Sequence, residues 1–149
     1  MRAVVQRVKR AEVRVEGKVI GRIGPGLLVL VGIAKRDTPE TGKALAEKIV
    51  RLRIFDDHEG RMNLDVCEAG GGVLAVSEFT LYGDCRKGRR PSYTDAAAPD
   101  DALPLYHAFV QSLKDLGVKV ETGEFRAMMD VDLVNDGPVT LLLDTDRTF

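Results

Sequence analysis

Residues 2 to 8 and 12 to 16 alternate apolar with polar, as in Val13 and Val15 against Glu12, Arg14 and Glu16. A period of two is what a half-buried strand requires, so both stretches are predicted to be strands. Glu16-Gly17-Lys18 then turns the chain into Val19-Ile20, and Gly24-Pro25-Gly26 turns it again. The next run, Leu27 to Ile33, is apolar throughout and reads as a central strand covered on both faces. Thr38-Pro39 marks a helix start, with Thr as the N-cap and Pro at the first helical position, where its missing N–H costs nothing. Leu45, Ile49 and Leu52 recur at helical spacing, which predicts a helix over 39 to 51 with one buried face. Arg53-Ile54-Phe55 reads as a short strand entering a polar loop at 56 to 60. Gly70-Gly71-Gly72 lacks the G-x-G-x-x-G spacing and predicts hairpin punctuation ahead of the apolar strand Val73 to Val76.

From Tyr82 to Pro99 the chain is rich in Gly, Pro, Asp and Arg, a long connection of the kind that tends to carry function. A second helix opens near Asp100-Asp101, places Tyr106, Phe109, Val110, Leu113 and Leu116 on one face, and stops at Gly117. Val118 to Glu121, Val131 to Val134 and Val139 to Leu143 complete the strands. The order of strands, helix, strands, helix, strands predicts an α/β fold with mixed, mostly antiparallel sheets and two helices packed against them. Residues 1–149 form one domain in this reading, with no internal repeat, low-complexity tract or linker.

Composition agrees. A 149-residue chain fits one domain, and a domain of this size buries roughly 68 to 70% of its unfolded surface. Hydrophobic residues at 44% and charged residues at 30% exclude a disordered chain. No apolar run is long enough to cross a bilayer, and the N-terminus alternates charge with Val, unlike a signal peptide, so a cytoplasmic protein is expected. Cys67 and Cys85 lie too far apart for a C-x-x-C pair and read as free thiols. His58 and His107 are the only histidines and neither sits in an H-E-x-x-H arrangement, so neither metal nor cofactor is expected. Net charge is −1, yet Arg86-Lys87-Gly88-Arg89-Arg90 is a compact basic run, and Arg2, Arg7, Lys9, Arg10 and Arg14 crowd the N-terminus. Such runs are most often solvated surface; proximity to a pocket would favour phosphate contact instead.

The chemistry centres on two segments, Ser77-Glu78-Phe79-Thr80-Leu81 and Asn135-Asp136-Gly137-Pro138-Val139-Thr140. A Gly-Pro step inside strand-like sequence is costly, because Gly weakens a strand and Pro cannot donate to the ladder. Gly lets backbone approach a ligand, and before Pro the cis form costs only about 0.5 to 1 kcal/mol over trans, so main-chain carbonyls could be aimed into a pocket. A simple turn would also account for the composition. Ser77 and Thr80 are the hydroxyls nearest these motifs, but neither lies in G-x-S-x-G, and such side chains usually bond to backbone.

Four segments in register, Met1 to Val8, Ser77 to Leu81, Lys87 to Ser92 and Asn135 to Thr140, resemble the D-aminoacyl-tRNA deacylases, and the resemblance runs from residue 1 to about 145. It implies a three-layer α/β/β arrangement and a homodimer in which each Gly-Pro segment reaches into the partner's pocket. It also implies hydrolysis of the ester of D-aminoacyl-tRNA, with the terminal ribose 2′-hydroxyl of the tRNA assisting water. Ser77, Glu78, Phe79 and Thr80 would form the catalytic corner, with main-chain N–H groups at Phe79 and Thr80 as oxyanion donors and the Phe79 ring against the adenosine or the wall. Gly137 and Pro138 would reject L side chains, leaving glycyl-tRNA unprotected, and Met129, Arg7, Asn135 and Thr140 would complete the substrate site. Arg86, Lys87, Arg89 and Arg90 would contact tRNA.

Two positions depart from the family pattern: Glu78 stands where Gln is usual, and Arg126 where Gly is common. The usual neighbour of position 78 matches Arg7, so a charge-assisted pair between Glu78 and Arg7 is expected. Two other classes of function compete. An RNA-binding module would bind tRNA whatever its aminoacyl state and release no amino acid, while a hydrolase of small esters would need no tRNA.

Overall fold

The computed structural model describes residues 1–149. Its elements in chain order are β1 (Arg2–Val15), β2 (Lys18–Ile23), β3 (Gly26–Gly32), α1 (Pro39–Val50), β4 (Phe55–Asp56), β5 (Met62–Leu64), β6 (Gly72–Ser77), a 3-10 turn (Phe79–Tyr82), α2 (Pro99–Asp115), β7 (Lys119–Thr122) and β8 (Asp130–Asp144). They form a single mixed α/β domain. Strands run β2-β1-β3-β6-β7, with β8 joined to β1, and β4-β5 make a separate two-stranded ribbon. β1 is antiparallel to β2, β3 and β8, whereas β3-β6 and β6-β7 are parallel.

Those parallel pairs correct the reading of Gly70-Gly71-Gly72 as hairpin punctuation. A parallel neighbour needs a long crossover, and α1 and α2 lie on the connections into β6 and β7. α1 starts as the Thr38-Pro39 signal predicts: the Thr38 side chain accepts from the Thr41 N–H, Thr41 reciprocates to the Thr38 backbone, and Pro39 occupies the first turn. Asp100 and Asp101 stand in the first turn of α2, the end where negative charge is favoured.

Both helices cover one face of the sheet. Ile49, Phe109 and Leu113 are fully buried there against Val5, Leu27, Val29 and Val73, and each such side chain contributes about 1.5 to 3 kcal/mol. The opposite face encloses a second cluster of Val8, Ala11, Val13, Ile23, Leu28, Leu74 and Val76. The sheet therefore folds over on itself, giving helix, sheet and sheet layers. Closure on that side is tight, since a Cβ added at Gly21 of β2 would sit 2.4 Å from the Thr122 carbonyl oxygen of β7.

β1 serves both layers. Ala3 and Val5 belong to the helix-side core, Val8, Ala11 and Val13 to the inner one. Register shifts on either side of Val8 switch the facing, as bulges do. The two strands predicted at 2 to 8 and 12 to 16 are thus one bent strand. β8 is likewise continuous where two strands were expected. Gln6 pairs with Thr140 and Val8 with Asn135, so residues 136 to 139 bulge out opposite Arg7 alone. That bulge is how a proline is accommodated inside a long strand.

Candidate active site

β6 delivers Ser77 to the end of the sheet, where the Glu78 N–H donates to the Val31 carbonyl at 2.8 Å. The chain then turns at once into the 3-10 segment, held by Leu81 N–H to Glu78 O at 3.3 Å and Gly83 N–H to Thr80 O at 2.9 Å. Glu78 caps that turn without a side-chain bond to its backbone. Its carboxylate instead accepts from the Thr80 hydroxyl.

Ser77, Glu78, Phe79 and Thr80 line one wall of a cavity of about 650 Å³, and 13 of its 18 lining residues are hydrophobic. Val31, Ala97, Ala102 and Phe125 supply much of the apolar lining. Met129 is brought into the same cavity while also packing against the inner core. Phe79 is 58% exposed, and the ring of Tyr93 meets it edge-on at 5.0 Å. Tyr93 was not singled out from the sequence; its place after a proline in the long connection is the only signal. The backbone there is anchored by Ala97 N–H to Ile33 O at 2.9 Å and Lys35 N–H to Asp95 O at 3.2 Å. Behind the cavity the Tyr106 hydroxyl donates to Ala75 O at 2.9 Å, and burial pushes this phenol up to about 12.

Chemically the cavity offers hydroxyls, a carboxylate and the backbone of a turn. His58 and His107 are exposed and outside its lining. No group of three or more His, Cys, Asp or Glu side chains is placed to hold a metal ion.

Gly137, Pro138, Asn135, Thr140 and Arg7 do not line this cavity within the chain. They form a second, ordered assembly. The Gly137-Pro138 peptide is cis and both residues are exposed. Asn135 spans the bulge: its Nδ2 donates to Thr140 Oγ1 at 2.9 Å and its Oδ1 accepts from the Val139 N–H at 2.9 Å. Gln6 adds a donor to Thr140 Oγ1 at 3.2 Å. Arg7, only 6% exposed, donates to the Asp136 carbonyl at 3.1 Å and to the Ile54 carbonyl at 2.6 Å, with the carboxylates of Asp136 and Asp56 each 3.6 Å away. The expected Arg7–Glu78 pair is therefore corrected. The shift in register around Val8 turns Arg7 toward the bulge, and Glu78 satisfies itself locally through Thr80.

The basic run is the tip of an excursion closed at its base by two bonds between Asp84 and Ser92, at 2.8 and 3.0 Å. Arg86 folds back to bind Asp84 through Nε at 2.8 Å and Nη2 at 2.7 Å. The Arg86 side chain and backbone N–H hold the Asp84 carboxyl well below its usual range. Lys87, Arg89 and Arg90 are exposed.

A model of the family described as D-Tyr-tRNA(Tyr) deacylase matches residues 4–144. The D-aminoacyl-tRNA deacylase of Thermosipho africanus is 62% identical over 149 residues, covering 100% of both chains. That of Thermus aquaticus is 59% identical over 147 residues, covering 99% of this chain and 97% of its own. Among solved structures, a c-Myc DNA unwinding element binding protein superposes with a TM-score of 0.92 at 38% identity, covering 97% of this chain and 98% of that one. A probable eukaryotic D-amino acid tRNA deacylase superposes at 0.80 with 20% identity, covering 95% and 97%, and so shares the fold.

Proposed function

The chain belongs to the D-Tyr-tRNA(Tyr) deacylase family and is a D-aminoacyl-tRNA deacylase, an ester hydrolase; from that premise we propose that it rejects L-aminoacyl esters sterically and works with few reacting side chains of its own. The observation that carries this reading is the cavity wall at Ser77 to Thr80, where a turn start and two hydroxyls face an apolar space of about 650 Å³ with no histidine in the lining. An aminoacyl ester is already activated, so positioning and stabilisation of the oxyanion supply most of the acceleration needed. The first N–H groups of the 3-10 turn, at Phe79 and Thr80, are the donors for that oxyanion. The exposed Phe79 ring holds the terminal adenosine. Water attacks with help from the 2′-hydroxyl of the substrate ribose.

Selectivity falls to Gly137-Pro138. This segment is exposed and ordered by Arg7 and Asn135 yet lies outside its own chain's cavity, which supports a homodimer in which it enters the partner's cavity. Main chain in the space an L side chain would need excludes that enantiomer and ignores side-chain identity. Glycine, having nothing to exclude, is also cleaved. The exposed Lys87, Arg89 and Arg90 meet the tRNA backbone, and Arg86 joins them by exchanging Asp84 for phosphate.

The test is a matched pair of D- and L-tyrosyl-tRNA. Cleavage of the D form at least about a hundredfold faster is expected, as steric exclusion discriminates more than loss of a weak contact does. Equal rates remove the steric account. Equal turnover of a simple D-tyrosine ester would replace it with a small-ester hydrolase, and tight tRNA binding with no release of amino acid would leave only a nucleic-acid-binding module.

A further inference from the structure

Phe125 and Arg126 occupy the middle of a turn closed by the Ala127 N–H to the Glu124 carbonyl at 3.2 Å. Arg126 has φ +67, while Phe125 keeps a negative φ. A turn of this kind, with only its third residue in the left-handed region, favours glycine there, since a Cβ in that region is strained. An arginine in place of glycine costs stability, and the turn lies on the wall of the cavity that holds Ser77 to Thr80. Strain retained at a cavity is a reason to ask what the side chain does.

Its surroundings narrow the answer. The Arg126 side chain is exposed. Exposed Arg10, Arg22, Arg36 and Arg86 each pair with a carboxylate, whereas the side chain of Arg126, like those of the exposed Arg51, Arg89, Arg90 and Arg147, has neither an ion-pair nor a hydrogen-bond partner in the chain, and of these Arg126 alone lines the cavity. Glu78 is the only other charged residue in the lining, and its carboxylate is engaged by Thr80. Arg126 is thus a free, planar, permanently charged donor at the rim of a mostly apolar space. Planar guanidinium matches phosphate oxygens two at a time.

We infer that Arg126 binds the first backbone phosphate outside the cavity when the aminoacylated terminal nucleoside is seated within it. The inference rests on the deacylase reading and adds a residue to its substrate site. Arg126 positions the nucleic acid and takes no part in bond breaking.

Three forms of the full chain, wild type, Arg126→Gln and Arg126→Lys, are compared on D-tyrosyl-tRNA and on the D-tyrosyl ester of adenosine, which carries no phosphate. Arg126→Gln is expected to raise KM for the tRNA substrate roughly tenfold with kcat nearly unchanged, as one lost charge-assisted contact would. It should also flatten the log-log dependence of KM on salt by about 0.7, the increment for one phosphate of a single strand. Arg126→Lys should recover most of the affinity, and the adenosine ester should respond to neither substitution. An unchanged KM and salt slope in Arg126→Gln, or an equal loss on the adenosine ester, overturns the inference while leaving the deacylase reading intact. Failure of the wild type to cleave D-tyrosyl-tRNA overturns the deacylase reading itself, and the inference with it.

Discussion

Gly137 and Arg126 are opposite cases of one backbone rule. Gly137 has φ +127, and a Cβ added there would lie 2.9 Å from Val139 Cγ2 and 3.1 Å from Arg7 Nη2. Gly137→Ala therefore meets both a forbidden conformation and the donor that orders the bulge. It is expected to lower stability by more than about 1 kcal/mol and to cut D-tyrosyl-tRNA turnover, as read by urea unfolding and by single-turnover hydrolysis. Gly60, with φ +76 and nothing within 4 Å of the added atom, isolates the conformational part, so Gly60→Ala should cost stability and leave turnover alone. At Arg126 the sign reverses. Arg126→Gly relieves a left-handed residue worth roughly 1 kcal/mol, which in a domain of this size raises Tm by about 2 to 4 °C. A lower Tm in a thermal melt would mean that Arg126 makes folded-state contacts outweighing the strain.

At the scale of elements, the cavity wall and the exposed Gly137-Pro138 segment each arise where regular structure is interrupted, the first at the 3-10 turn that ends β6 and the second at the bulge in β8. Arg7 holds the second. It bridges β1, the Ile54 carbonyl and the bulge carbonyl at Asp136 from a buried position. Arg7→Met keeps the stem and deletes the donors, and hydrogen bonds to charged groups are worth about 1.5 to 3 kcal/mol. The exposed Arg10–Asp132 pair should be worth under about 1 kcal/mol by the same substitution. Because Arg7 and Glu78 do not touch, combining Arg7→Met with Glu78→Gln should be additive in stability, and coupling above about 0.5 kcal/mol would contradict that geometry.

Asp144, near the end of β8, adds a pH dependence. Burial pushes its carboxyl up, but the Thr148 hydroxyl, the Asp146 N–H and Arg2 outweigh burial and hold it below the usual value. A depressed native pKa stabilises the fold above the unfolded value, near pH 3.9, and that contribution disappears as pH falls through the native value. Asp144→Asn should therefore be less stable than wild type at pH 7, and the gap should close in unfolding curves below pH 4.

The helices, β2, β3, β6 and β7 were readable because apolar period, caps and glycines act within a few residues. The bends in β1 and β8 were not, since a bulge leaves alternation broken in the same way a turn does. Nor was the partner of Arg7 readable, because a one-residue change in facing decides it.

On the scale of the whole molecule, the cavity and the Gly137-Pro138 bulge are separate surfaces of one chain, and β8 is bonded only to β1, leaving its other edge unpaired. Leu142 is 60% exposed and Val134 38% exposed on that strand, and a long, partly apolar edge invites another chain. A homodimer joined there would cover the edge and could carry each bulge into the opposite cavity. Complementation distinguishes this from two self-contained sites. Phe79→Ala impairs the cavity wall and Gly137→Ala impairs the bulge, so each variant alone should be poorly active on D-tyrosyl-tRNA. When the two are unfolded together and refolded as an equal mixture, random pairing makes half the dimers mixed. A site shared between chains leaves one of the two sites in each mixed dimer intact, so activity should return to roughly a quarter of wild type. Leu142→Lys in both chains should abolish the recovery and give the mass of a single chain in sedimentation. No recovery in mixtures shown to contain mixed dimers would place cavity and bulge in independent roles.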